Sequence, residues 1–330
     1  MTKPVVCVLS LGGTITMTAA AGGGVTPALG ADALLDGLVS AVPEIEVDGR
    51  TLSRVAGAAL TPADVLAAWV AAEARVRQGA HGVVLVQGTD TLDESAYLLD
   101  LVWGLDAPIV LTGAMRAAGV PGADGPANLI AAMRTAADPA ARDRGALVVI
   151  NDEIHAARRV HKGHAEAMQA FGSNEFGLLG RLVEGRPVFA NQFGRHDPID
   201  VRPMTGPSPW VPLLPTFLGD DGTGLRAMVD AGAGGVVVAA HGVGHVSPNL
   251  AEVIGALAGD VPIVIVTRTG AGTTLRRTYN FPGSESDLIN RGAIPAGWLT
   301  PNQARLLLWL LLATGADRDQ IVRALHRHGD

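Results

Sequence analysis

VVCVLSLGGTITM, residues 5–17, opens on a nearly unbroken apolar run and ends in two glycines and a threonine. Continuous rather than alternating apolar character marks a strand covered on both faces, as in a parallel sheet. The pattern returns at GVVLVQGTDT, residues 82–91, where the run is closed by Gln87, Gly88, Thr89 and Asp90. Further runs of this kind lie at 108–112, 146–150, 235–239 and 262–266, spaced widely enough to leave room for helices. Two helix starts stand out between them. Thr61-Pro62-Ala63-Asp64 puts a capping hydroxyl before a proline at the first helical position, with an acid in the first turn. Thr300-Pro301-Asn302-Gln303 repeats the device and completes a capping box ahead of ARLLLWLLLA. This alternation predicts an α/β fold of the doubly wound kind.

At 330 residues the chain exceeds what one core usually serves, so two domains are expected. Residues 191–215, NQFGRHDPIDVRPMTGPSPWVPLLP, have no helical or strand period and hold prolines from Pro198 to Pro215. The expected division is a larger N-terminal domain over 1–190, with a mostly parallel sheet flanked by helices. A linker over 191–212 and a smaller C-terminal α/β domain over 213–330 follow.

Composition narrows the function. Nearly half the residues are apolar and 17% are charged, as in a compact globular protein. The net charge of −7, with acids and bases interspersed, points away from nucleic acid and anionic membranes. The single Cys7 excludes an internal disulfide and any cysteine-built metal site, and its apolar setting reads as a buried small side chain. The N-terminus enters the first strand without a signal peptide's apolar stretch. The longest apolar run, 306–313, is far short of the ~20 residues that span a bilayer. A soluble, cytoplasmic protein is expected.

Familiar signatures are missing: no phosphate loop of the GxxxxGK[ST] type, no GxSxG and no HExxH, while the glycines at Gly22 and Gly242 fall short of a dinucleotide fingerprint. His155, His161 and His164 cluster in sequence. Their spacing would let His161 and His164 share a helix face, and a solvated polar face is the reading preferred to a metal site. No metal and no cofactor are expected. The two threonine turns remain. In open α/β sheets ligands bind beyond the carboxyl ends of the strands, where Gly12-Gly13-Thr14 and Gly88-Thr89-Asp90 both fall. Glycine there lets backbone approach a ligand and exposes N–H donors.

Taken together these stretches resemble the bacterial-type L-asparaginases and glutaminase-asparaginases, over nearly the whole chain. LTGAMRAAGVPGADGPANLIAAM (111–133) is similar to the family's stretch after its second threonine. RRVHKGHAEAMQAFGSNEFGLLGRL (158–182) resembles its lysine-bearing segment, and LTPNQARLLLWLLL its C-terminal helix. The resemblance implies an amidohydrolase that turns L-asparagine into L-aspartate and ammonia through a threonine acyl-enzyme. It assigns catalysis to Thr14, the nucleophile, and to Thr89, Asp90 and Lys162. Substrate binding falls to Gly13, Ala58, Gly88, Thr89, Asp90 and Glu285. Thr14 needs a base, and a lysine kept neutral by burial is one. The resemblance also implies a homo-oligomer, a dimer of dimers, with Glu285 reaching into a neighbour's site to meet a substrate ammonium.

Three positions depart from the family pattern. Val25 stands about where many relatives carry a tyrosine, in the loop TMTAAAGGGVTPALG. Ala58 and Ala59 replace polar groups that hold the substrate's α-carboxylate and α-ammonium. His245, in GVGHVSP, replaces an asparagine. An amidase for a different ω-amide, or a small amino-acid-binding protein with a weakened site, are the alternatives these changes leave open.

Overall fold

The computed structural model describes every residue except Met1, Ala21, Pro203 and Thr205. Ala21 belongs to the loop after Thr14, and Pro203 and Thr205 to the proline-rich stretch; expectations for those residues lie outside the described ones. The chain divides into two compact units, one running through Pro198 and the other beginning at Ile199.

In chain order the first unit contains β1 (Val5–Gly12), β2 (Met17–Ala19), β3 (Val25–Pro27), α1 (Ala31–Leu35), β4 (Glu46–Val55), α2 (Pro62–Arg77), β5 (Gly82–Val86) and α3 (Leu92–Val102). There follow β6 (Ile109–Thr112), α4 (Gly125–Ala137), β7 (Ala146–Ile150), β8 (Glu153–Ala156), β9 (His161–Lys162), β10 (Phe171–Gly172), β11 (Gly180–Val183) and β12 (Arg186–Phe189). An eight-stranded sheet forms in the order β12-β11-β8-β7-β6-β5-β1-β4. From β4 to β7 the strands are parallel; β8, β11 and β12 close one side antiparallel. Side chains alternate across a strand. Val6 and Val8 therefore enter one core with Leu129 and Met133 of α4, while Cys7 and Leu9 point to the opposite face and are also fully buried. α2 and α3 pack on the sheet as well. Strands buried on both faces read as continuous apolar runs for this reason.

The second unit holds β13 (Leu213–Pro215), α5 (Thr223–Asp230), β14 (Val236–Ala240), α6 (Pro248–Leu257), β15 (Ile263–Thr267), α7 (Glu285–Asn290), β16 (Ile294–Pro295), α8 (Pro301–Ala313) and α9 (Arg318–Gly329). Its four strands lie in sequence order, all parallel. The core joins Val236 and Val238 of β14 to Leu250 and Ile254 of α6.

Both expected helix starts form, and both are full capping boxes. Thr61 Oγ1 accepts from Asp64 N–H while the Asp64 carboxylate accepts from Thr61 N–H at 2.8 Å. Thr300 and Gln303 make the same exchange. Among the described residues no helix is long and apolar enough to cross a membrane.

Candidate active site

Three adjacent strands, β4, β1 and β5, end side by side and hand over to three turns: Gly57–Ala59, Thr14–Thr16 and Thr89–Thr91. β1 leaves its ladder through a register shift that pairs Gly12 with Val55. Gly13 follows at φ +88°, a left-handed backbone that glycine adopts without a Cβ penalty. Its N–H donates to Val55 O at 2.9 Å. A Cβ on Gly13 would overlap the Gly88 amide nitrogen, and one on Gly88 would come within 2.6 Å of Gly57 N. The three turns thus touch through bare backbone. Thr91 adds a bond from its hydroxyl to Gly57 O, at 2.9 Å.

This contact brings the two threonine turns together. Thr14 is half-buried at the start of its turn, and Thr89 is only 4% exposed. Lys162, on the short strand β9, sends Nζ to Thr89 Oγ1 at 3.0 Å and to Asp90 Oδ1 at 3.0 Å. Its side chain is well covered, whereas Asp90 stays open to solvent. The arrangement is chemically legible. A hydroxyl in hydrogen-bond contact with an amine can pass its proton to that amine when the amine is neutral, and a carboxylate on the same nitrogen steadies the charge that results. Ala58 and Ala59 sit on the third turn, exposed, with methyl groups only. Val25 lies on β3 of the hairpin after Thr14 and is also exposed.

Glu285 belongs to the second unit. It is the first residue of α7, capped by Ser284, and is 3% exposed. Its Oε1 accepts N–H bonds from Thr278 at 2.7 Å and Tyr279 at 2.6 Å, and Oε2 meets His245 Nε2 at 3.0 Å. Burial works to raise its pKa, but these donors outweigh burial and hold it below the usual carboxylate range. His245 stands edge-on to the rings of Tyr279 and Phe281. The histidine that departs from the family pattern is thus bonded directly to the acid that the pattern singles out.

The histidine cluster differs from expectation. His161 lies in β9, paired with Gly172, and His164 in the loop beyond it, where its Nδ1 accepts from Ala167 N–H at 2.9 Å. They share no helix face, because the ladder with β10 and Gly163 between them break any helical turn. His164 is exposed and His161 half-buried, but His155 is no solvated group: on β8 it is fully buried, its Nδ1 2.8 Å from Ser173 Oγ. Burial first, then the charges of Arg181 and His161, push its pKa down to about 4. Among the described residues no group of three or more His, Cys, Asp or Glu side chains is placed to hold a metal ion.

Several organising residues escaped the sequence reading. Asp124 accepts from Met115 N–H and Arg116 N–H at 2.9 Å each, and Asn128 donates to Gly113 O while accepting from Asn151 N–H. These bonds explain the ADGPAN stretch, which ties the loop after β6 to the end of β7. Asp93 accepts from Lys162 N–H at 3.0 Å. The signal available in sequence was its position four residues after Thr89 at a helix start.

Comparison with known proteins places the chain in a family. The family model "Asparaginase, N-terminal" matches residues 5–193, and "Glutaminase/Asparaginase C-terminal domain" matches 210–325. A probable L-asparaginase of Deinococcus radiodurans is 37% identical over 248 residues, 74% of this chain and 75% of that protein. A glutaminase-asparaginase of Acinetobacter glutaminasificans is 31% identical, over 96% of this chain and 97% of its own length. The crystal structure of a probable cytoplasmic L-asparaginase from Campylobacter jejuni superposes with a TM-score of 0.85, at 31% identity, covering 98% of this chain and 99% of that one. With both family domains matched in order and the fold shared from end to end, this chain belongs to the asparaginase family.

Proposed function

We propose that the chain is an L-asparaginase-type amidohydrolase that hydrolyses L-asparagine to L-aspartate and ammonia. The observation that carries this reading is Lys162 Nζ, 3.0 Å from both Thr89 Oγ1 and Asp90 Oδ1, beside a turn pressed against that of Thr14. In the reaction Thr14 Oγ1 bonds to the side-chain amide carbon, its proton passes to the leaving nitrogen, and ammonia departs. Water then opens the ester, releasing aspartate and returning a proton to Thr14. Thr89, Lys162 and Asp90 serve as the proton relay. In this reading backbone N–H groups of the Thr14 and Thr89 turns, other than the Gly13 N–H bonded to Val55 O, supply the donors for the developing oxyanion, the kind of pre-set donor that lowers such barriers most.

Substrate is held by the turns at Gly13, Ala58 and Gly88, by Asp90, and by Glu285 supplied from a second copy in a dimer of dimers. The linker over 191–212 joins the two domains. The family resemblance supports the assembly, and the likeness to the probable cytoplasmic L-asparaginase of Campylobacter jejuni supports a cytoplasmic location. The bare methyl groups of Ala58 and Ala59 favour a second reading, an amidase for a different ω-amide that asks less of the α-substituents. Ammonia release from a panel of asparagine, glutamine and larger ω-amides decides between them. Fastest turnover of asparagine supports the first reading; release only from another amide replaces it with the second.

A further inference from the structure

We infer that Asp93 is a positioning residue that sets Lys162 against Thr89. The inference rests on the proposed role of Lys162 and adds how that lysine is held. Asp93 is the second residue of α3, immediately after the Thr89–Thr91 turn. Its carboxylate is divided between two tasks. Oδ1 accepts the N–H of Glu94 in its own helix at 3.0 Å, and Oδ2 accepts the backbone N–H of Lys162 at 3.0 Å. Lys162 then returns its side chain to the same five-residue stretch, with Nζ on Thr89 and Asp90. One helix start therefore grips the lysine at both ends, its backbone and its amine.

This grip matters because the strand that carries Lys162 is short. Its strand is two residues long, paired among the described residues with the two residues of β10, and Gly163 N–H to Ala170 O at 2.7 Å closes the ladder. A two-residue ribbon is marginal without outside support. Asp93 supplies that support from a helix whose body is buried in the first unit. A lysine side chain has four rotatable bonds and high rotamer entropy, so a fixed backbone narrows the poses open to Nζ and favours those in contact with Thr89. Misplacement by about 1 Å costs on the order of a hundredfold in rate.

The test compares three changes at Asp93 with Lys162→Met. Asp93→Ala removes the acceptor, and Asp93→Ser keeps an oxygen for Glu94 N–H but is too short for Lys162. Asp93→Asn removes the charge and keeps one acceptor oxygen, which serves Lys162 N–H only when its NH2 group is turned to Glu94 N–H. Expected results are a drop in kcat of roughly tenfold to a hundredfold for the alanine and serine proteins, with KM within about twofold of wild type. With its oxygen turned to Lys162, the asparagine protein should recover part of that loss, and melting temperatures report whether each variant is folded. A residue that merely stabilised the helix would not separate serine from asparagine in kcat. Undiminished kcat in folded Asp93→Ser, or equal damage in Asp93→Asn, overturns the inference while an inactive Lys162→Met leaves the site assignment standing. An active Lys162→Met protein overturns the site assignment itself, and the inference with it.

Discussion

His155 shows how a buried residue near the lysine segment ties structure to pH. Its ring is fully buried, with Nδ1 on Ser173 and Nε2 3.6 Å from Glu153, whose charge is answered by Arg181 at 2.7 Å. A folded pKa of about 4 against an ordinary 6.5 means that the unfolded chain takes up a proton which the folded chain refuses. Stability from this group is therefore complete above pH ~6.5 and falls as pH drops toward ~4, by up to about 3 kcal/mol. Replacing it by leucine removes the titration. Urea unfolding of wild type and His155→Leu, at neutral pH and near the bottom of that window, should show the wild type losing more stability than the variant. Equal losses would mean that other groups set the acid limb. Sequence alone gave no warning of this burial: EIHA is too short and too polar to announce a strand, and its cover comes from neighbours far along the chain.

At the scale of elements, strands and helix starts were legible where local chemistry decides them. The apolar runs at 5–11, 82–86, 108–112 and 146–150 all became strands of the parallel core, because burial on both faces demands continuous apolar side chains. β4 was not legible. EVDGRTLSRV forms the edge of the sheet, half-exposed along its length, and an edge strand needs no such run. Its turn, Gly57–Ala59, nevertheless completes the site by packing on Gly88. Glycine and threonine signalled the other two turns; nothing in GAA signals a ligand. This element carries a prediction of its own. On the proposed reading, asparagine's α-groups lose partners at Ala58 and Ala59, at ~1.5–3 kcal/mol for each hydrogen bond to a charged group. The double change Ala58→Ser with Ala59→Gln should lower KM for asparagine by about tenfold or more and raise kcat much less, since such groups bind ground and transition states alike. Unchanged KM would show that the substrate is held elsewhere.

For the whole molecule, the proposal divides the working parts between the two units. Thr14, Thr89, Asp90 and Lys162 belong to the first, and Glu285 with His245 to the second. If Glu285 serves a neighbouring copy, two inactive proteins can complement one another. Mixing Thr89→Val with Glu285→Ala under conditions of demonstrated subunit exchange should restore part of the activity, since some mixed assemblies contain an intact site. Exchange without rescue would rule out the shared site. The account as a whole stands on the contact between Lys162 and Thr89. The most direct measurement is ammonia release from L-asparagine by Thr89→Val, a change that removes the hydroxyl and keeps the shape. The account predicts a folded protein with turnover reduced by at least about a hundredfold; a folded Thr89→Val protein with wild-type turnover would contradict it.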